Sequence, residues 1–538
     1  MNAKMLFMLG GGLGLFLYGM QMMGEGLERT AGNKLKKLLE ILTNNRFLGV
    51  LVGAVVTAII QSSSGTTVMV VGFVNAGLMT LTQAAGVIMG ANIGTTVTAQ
   101  LIAFKLTDIA PIAILLGVGM MFFAKKKIYK HVGEILAGFG ILFLGMDIMS
   151  GALKPLRGVE AFQNFMVSFK HPLIGVFTGF AVTAIIQSSS ASVGILQALA
   201  MQNLIGIEGA IYVIFGQNIG TCVTALLASI GTNVTARRAA AIHLMFNIIG
   251  TVVFLIILQF PFIPFIPFIK SLSPGDTVRQ IANAHTIFNI AITILLFPVA
   301  HSLVALAKKV VPGEEKTVDE MHLHYLDERI LETPSIAVVQ VQKEIERMGE
   351  LARNNYEQSM AAFFDQDENK IQEVLEREKT INYLNHEITS YLVKVSNLDL
   401  PAYDGKRISS FFHVVNDIER IGDHAENMVE YTSYCIENRV TFSEIAIRDL
   451  KEMNKLVLEN VDDSLAALKS RDVSIAKRVE PREQEIDDKQ EDLRQSHIER
   501  LNRQQCSPSA AIIFMDIIGN MERVADHASN IANSVMDE

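Results

Sequence analysis

From about residue 5 to residue 307 the chain runs as long apolar stretches broken by short polar or basic clusters. From about 336 onward the pattern changes, and apolar residues recur at helical spacing, as at 336, 338, 339, 341 and 345. The first pattern predicts membrane-spanning helices and the second long amphipathic ones, so the expected fold class is all-α. Residues 47–104 contain no Asp, Glu, Lys, Arg or His. As one helix that run would reach about 87 Å at ~1.5 Å per residue, roughly three times a ~30 Å hydrocarbon core. The chain must therefore turn within or beside the membrane, and Gln61-Ser62-Ser63-Ser64-Gly65 is the polar interruption where it does so.

That interruption occurs twice. Thr57-Ala58-Ile59-Ile60-Gln61-Ser62-Ser63-Ser64 returns letter for letter as Thr183-Ala184-Ile185-Ile186-Gln187-Ser188-Ser189-Ser190, an offset of 126. At the same offset, Gly90-Ala91-Asn92-Ile93-Gly94-Thr95-Thr96-Val97-Thr98 matches Gly216-Gln217-Asn218-Ile219-Gly220-Thr221-Cys222-Val223-Thr224. The Gly-rich segment 13–20 likewise matches 139–146. Three collinear matches define two repeats, about 5–131 and 132–257, followed by an extra helix at about 284–307. The stretches 47–79 and 172–205 read as re-entrant helix–turn–helix hairpins, because a break at membrane depth needs protein or water to satisfy its backbone groups. The N-terminal apolar run has its own copy inside the chain, so it is expected to belong to the fold and not to a cleaved signal.

Charge sharpens the division. Of 55 acidic and 46 basic side chains, residues 311–538 hold 46 and 26, leaving 9 and 20 for residues 1–310. A membrane transport domain (1–310), a linker (311–335) and a soluble acidic helical domain (336–538) follow, and the acidic balance excludes nucleic acid as a partner. Lys and Arg in 28–46 and 125–130, Arg237-Arg238 and Lys308-Lys309 mark cytoplasmic loops. The Gly-rich helices at about 5–23 and 132–150 then run in opposite senses, so the two repeats are inverted. The soluble domain falls on the cytoplasmic side of a cell (inner) membrane. Cys222, Cys435 and Cys506 are too far apart to suggest a metal site or disulfide framework.

The tips supply amides, hydroxyls and helix N-termini, but no cationic side chain. Helix N-termini attract anions, whereas hydroxyl and carbonyl oxygens suit a small hard cation. Burying a multiply charged oxyanion with no fixed positive charge is expensive. Co-bound cations would offset that charge, and moving each net charge is worth about 2.3 kcal/mol per 100 mV. The residues thus point to a cation-coupled oxyanion transporter without choosing the anion. His243/Asn247 and His285/Asn289, each i and i+4, read as interhelical hydrogen-bonding pairs.

The paired Gln-Ser-Ser-Ser runs, each followed about 30 residues later by Asn-Ile-Gly-Thr, resemble the type II sodium/phosphate cotransporter family over residues 1–307. The resemblance implies phosphate binding at Gln61, Ser62, Ser63, Ser64, Gln187, Ser188, Ser189 and Ser190. It implies sodium ligands or their supports at Asn92, Thr95, Asn218 and Thr221, with sodium ions as co-substrate. In the soluble half, 417–427 matches 520–530 at offset 103, and 374–382 corresponds to 479–487 at offset 105. Two copies of a three-helix unit result, resembling the PhoU family, whose members sense or regulate phosphate transport. In that family an acidic x-x-x-Asp motif can hold metal ions; here it falls on Glu419 with Asp423 and Glu522 with Asp526. The expected function is sodium-coupled phosphate transport under a PhoU-like regulatory domain, and not an enzymatic one. Inorganic phosphate, sodium and the lipid bilayer are the expected partners, and a homodimer stays open. The alternatives are a channel or exchanger for another oxyanion or cation, and a membrane-anchored metal-dependent phosphohydrolase.

Overall fold

A computed structural model describes residues 3–40, 46–260, 262, 264–313, 321–398 and 400–536. The chain is all-α, with no strand among the described residues. It divides into two compact units, Met1–Glu315 with Asp327–Thr333, and Lys316–Leu326 with Pro334–Glu538.

In the first unit the small residues decide which helices touch. Helix α1 (Ala3–Glu40) opens the chain and is followed by α2 (Arg46–Ile60), α3 (Ser63–Asn75), α4 (Leu81–Gly94) and α5 (Thr96–Ala103). Helix α6 (Ala110–Phe123) then leads into α7 (Lys127–Leu153), which lies along α1 and α6. Gly12 and Gly19 of α1 meet Gly145 and Gly138 of α7 so closely that a methyl on any of them would strike the partner's backbone. Phe16, Phe143, Met146 and Met149 fill the seam between these helices and are fully buried. Small residues permitting close backbone approach are the usual device for joining helices in lipid, where apolar side chains gain little by association.

The second repeat continues with α8 (Glu160–Ser168), α9 (Pro172–Ile186), α10 (Ser189–Met201) and α11 (Ile207–Ala228). Helix α2 packs on α4 and α9 packs on α11 through the same glycines in both copies. A methyl on Gly90 would overlap the Val50 carbonyl, and one on Gly216 the Val176 carbonyl; 90 and 216, like 50 and 176, are 126 apart. The duplication seen in sequence therefore extends to the packing. Helices α12 (Val234–Ile257), α13 (Phe265–Leu272), α14 (Thr277–Leu296) and α15 (Ala300–Val310) close the unit.

Among the described residues, six helices are long and apolar enough to cross a membrane, or up to eight if each of two bent pairs is one span. Their outward faces carry exposed Phe7, Leu115, Phe122, Phe123 and Phe177. So much uncovered apolar surface belongs in a hydrocarbon surrounding.

Three local expectations change. The extra helix expected at about 284–307 is two helices, α14 and α15, meeting at 86°. Pro298 sits at the break, where it cannot supply the backbone N–H that would continue the helix. The expected loop from residue 28 continues α1 as far as Glu40, since its Leu, Lys and Glu residues are good helix formers. Part of the expected linker is an ordered turn of the first unit, Glu328–Glu332. Ile330 is fully buried there, Asn75 Nδ2 donates to Asp327 Oδ2 at 2.7 Å, and the Arg329 guanidinium donates to the Ala228 and Ile230 carbonyls closing α11. The linker residues 314–320 lie outside the described residues.

The described residues of the second unit form six long helices and one short one. Helices α16 (Pro334–Asp365), α17 (Glu368–Ser396) and α18 (Ala402–Glu437) pack mutually as one bundle. Helices α19 (Glu444–Ser470), α21 (Val479–Asn502) and α22 (Pro508–Met536) form the second, with α20 (Val473–Ala476) between α19 and α21. The bundles meet mainly through α18 and α22.

Candidate functional site

The polar interruptions become two-residue breaks between helices. Gln61 ends α2 and Gln187 ends α9 in the left-handed region, at φ 60° and 57°, where a non-glycine residue is uncommon. Each N–H still closes its helix, onto Thr57 O at 2.8 Å and Thr183 O at 2.7 Å. The next residue is an N-cap. Ser62 Oγ accepts from Gly65 N–H at 3.0 Å, and Ser188 Oγ accepts from Ala191 N–H at 3.2 Å. This is the side-chain–backbone bond that starts a helix, and it explains the serine after each glutamine.

The helices so started, α3 and α10, bring their first residues together. Ser63 Oγ and Ser189 Oγ, exactly one repeat apart in sequence, lie 3.4 Å from each other. Ser189 Oγ is also 3.3 Å from Thr95 Oγ1. Ser190 Oγ donates to Thr98 Oγ1 at 3.4 Å, and Thr98 Oγ1 donates to Gln61 Oε1 at 2.8 Å. Gln61, Ser63, Ser189, Ser190, Thr95 and Thr98 are all buried, whereas Ser62, Ser64 and Ser188 are half-buried and Gln187 is exposed. No member of this network is charged. Two helix N-termini, with their partial positive charge, thus converge on one cluster of hydroxyls.

The second motif is placed less symmetrically. Asn92 donates to Ile88 O at 2.8 Å within its own helix. Asn218 is held from α14: its Nδ2 donates to Asn289 Oδ1 at 3.0 Å, and its Oδ1 lies 3.0 Å from His285 Nε2. Thr221 Oγ1 donates to Gln217 O. Thr95 therefore joins the tip cluster, while Asn218 is spoken for by a neighbouring helix. His285 and Asn289 do lock two helices, α14 to α11. His243 and Asn247 likewise tie α12 to α11: Asn247 Nδ2 reaches Cys222 Sγ at 3.4 Å, and Cys222 Sγ donates to His243 O at 3.5 Å.

In the second unit Glu419 and Asp423 share a face of α18, with Arg420 Nη1 donating to Asp423 Oδ2 at 3.1 Å. Glu378 of α17 is buried nearby, and burial, reinforced by Asp423 and Glu426, pushes its carboxyl up to about 8. Glu522 and Asp526 sit on α22. Donor atoms of Asp526, Glu483 and Asp487 all lie within 4.8 Å of one another. Burial raises both Glu483 and Asp487, with the neighbouring carboxylates adding to it. Three converging carboxylates suit a hard cation. Glu483 and Asp487 were not singled out from sequence, although the 374–382/479–487 correspondence contains them and pairs Glu378 with Glu483. Thr98 was likewise passed over, although it closes the second duplicated motif. His424 Nδ1 lies 2.7 Å from Asn520 Oδ1 and His527 Nδ1 lies 2.9 Å from Asp417 Oδ1, so both histidines tie α18 to α22.

Comparison with known proteins bears on both halves. The sequence matches the Na+/Pi-cotransporter family model twice in tandem, over 15–151 and 145–272. The uncharacterized protein YqeW of Bacillus subtilis is 33% identical over 56% of this chain and 96% of its own length. The chain belongs to the Na+/Pi-cotransporter family. Such a family member is a multi-pass membrane transporter and not an enzyme, and this one carries PhoU domain matches at 345–432 and 450–535. YjbB of Salmonella typhimurium, named for inorganic phosphate export, is 24% identical over 97% of this chain and 96% of its own. The sodium-dependent phosphate transport protein 2B of Homo sapiens is 33% identical over 24% of this chain and 20% of its own.

Proposed function

We propose that this protein is a sodium-coupled carrier of inorganic phosphate, with the anion held between the two Gln-Ser-Ser-Ser tips. The observation that carries the reading is the meeting of Ser63 and Ser189 in a buried, uncharged hydroxyl cluster at two helix N-termini. Such a cluster offers hydrogen-bond donors and partial positive charge to an oxyanion, but nothing that neutralises it. Sodium ions travelling with the anion supply the missing charge. Asn92 and Thr95 are the better-placed cation ligands, because Asn218 already spends its amide on His285 and Asn289.

The two repeats are inverted in the membrane, their broken helices enter it as re-entrant hairpins, and the PhoU-like unit lies in the cytoplasm. The basic clusters flanking the spans support that orientation. The PhoU-like unit adjusts transport to phosphate supply and holds hard metal ions at its acidic faces. Net direction follows the gradients. One relative is named for export and another for sodium-dependent transport, and a coupled carrier accommodates both. The test is radiolabelled phosphate flux in proteoliposomes with and without a sodium gradient. Flux that follows the gradient and is lost in Gln61→Ala/Gln187→Ala supports the reading, and flux indifferent to sodium refutes it.

A further inference from the structure

The two tips are alike in sequence and unlike in bonding. Thr57, Gln61 and Thr98 recur as Thr183, Gln187 and Thr224, each 126 positions on. In the first repeat Thr98 Oγ1 donates to Gln61 Oε1 at 2.8 Å, and Thr57 Oγ1 donates to Thr66 Oγ1 at 3.0 Å. Gln61 is 4% exposed. In the second repeat none of this holds. Gln187 is exposed, Thr224 Oγ1 donates back to Thr221 O at 2.8 Å, and the fully buried Thr183 hydroxyl has no partner. Ser192 donates to Ser188 O just as Thr66 at the matching position donates to Ser62 O, but only Thr66 also accepts from its repeat's threonine, Thr57.

The glutamine and threonine are the same in both copies, so the difference lies in their surroundings, where α4 and α5 break at Thr95 and α11 runs on unbroken. The same side chains are bonded in one repeat and released in the other, which is how a two-state element looks when caught in one of its states. The unpartnered Thr183 hydroxyl marks the second repeat as the one left unsatisfied, since a buried donor without an acceptor is unfavourable. Thr98 also accepts from Ser190 of the opposite tip, so the bonded repeat touches the released one.

We infer that Gln–Thr forms a latch in each repeat, closed at Gln61–Thr98 and open at Gln187–Thr224, and that the working cycle alternates which is closed. Thr98 and Thr224 are then gating residues. Two chemically identical latches keep the two states close in free energy, as a reversible carrier requires. The cycle rests on the transport reading given above, whereas the latch geometry involves no phosphate.

Disulfide trapping in the full-length protein, without phosphate, tests this. Gln61→Cys/Thr98→Cys closes quickly under mild oxidant. Gln187→Cys/Thr224→Cys closes at least about tenfold more slowly, because the minor state of such an equilibrium is populated at ~0.1–10%. Adding Thr98→Val to the second pair speeds its closure by about 2- to 10-fold, the factor one neutral hydrogen bond is worth. Thr98→Ser, which keeps the hydroxyl, leaves it slow. Monodisperse elution and an unchanged melting temperature of each variant show that it folds. Equal rates for the two pairs, no closure at 187–224 even with Thr98→Val, or equal effects of Thr98→Val and Thr98→Ser would each overturn the latch. Absence of phosphate flux in wild-type protein with these trapping results intact would refute phosphate as substrate and leave the latch standing.

Discussion

Ser189→Ala separates a binding role from a structural one by magnitude. Ser189 Oγ lies 3.4 Å from Ser63 Oγ and 3.3 Å from Thr95 Oγ1, both long for hydroxyl hydrogen bonds, which cluster near ~2.7–2.8 Å. As internal bonds they contribute weakly, so removing the hydroxyl should lower stability by at most about 1 kcal/mol. A hydroxyl donating to a bound oxyanion makes a charge-assisted bond worth about 1.5–3 kcal/mol. Phosphate affinity should therefore fall roughly 10- to 150-fold, while the melting temperature of the ligand-free protein barely moves. Calorimetric titration of phosphate at saturating sodium, beside a thermal melt, reads both quantities. Ser63→Ala should behave alike, and the double variant should fall short of the summed losses because the two hydroxyls face one another. The reasoning fails if affinity drops by less than about threefold, or if the loss of stability matches the loss of affinity.

Three further outcomes follow from named contacts. Gly216→Ala should destabilise the membrane unit by about 1–3 kcal/mol, because its methyl would overlap the Val176 carbonyl, and Gly90→Ala should do the same at Val50; chemical denaturation in detergent measures both, with the exposed-helix variant Gly119→Ala, which meets nothing, as the comparison. Glu378, its carboxyl raised from an ordinary 4.5 to about 8, binds its proton more tightly folded than unfolded. Its contribution is complete below about pH 4.5 and is lost as pH rises through about 8, so metal-free protein should melt at lower temperature at pH 9 than at pH 6, with Glu378→Gln flattening that slope. Asp487→Asn should weaken any stabilisation by added divalent cation, read as the shift in melting temperature per unit of metal. An equal shift in wild type and variant would dismiss Glu483, Asp487 and Asp526 as ligands.

Sequence carried the tips further than it carried anything else. The interruption after Ile60 and its copy after Ile186 were legible as eight letters written twice, whereas the capping role of Ser62 and Ser188 and the meeting of Ser63 with Ser189 appear only in the structure. Local chemistry makes the interruption readable, because a helix end and the serine that caps the next helix are decided by neighbours within four residues. Gln187 marks where such reasoning stops. Its letters match those of Gln61, yet one side chain is buried and bonded and the other is exposed, because their states depend on how α5 and α11 sit against the tips. The bend at Pro298 was readable from a proline inside an apolar run. Glu483 and Asp487 lay in a correspondence too loose to stand out, and only the packing of α21 against α22 brings them to Asp526. Asn218 matched Asn92 in motif but differs in role, since His285 and Asn289 come from a helix outside the repeats.

Equilibrium binding of phosphate to purified protein across a range of sodium concentrations addresses the main claim most directly. An uncharged hydroxyl cluster flanked by two helix N-termini should hold phosphate weakly without sodium and progressively more tightly as sodium rises, with potassium unable to substitute. Phosphate bound equally well at every sodium concentration would contradict it.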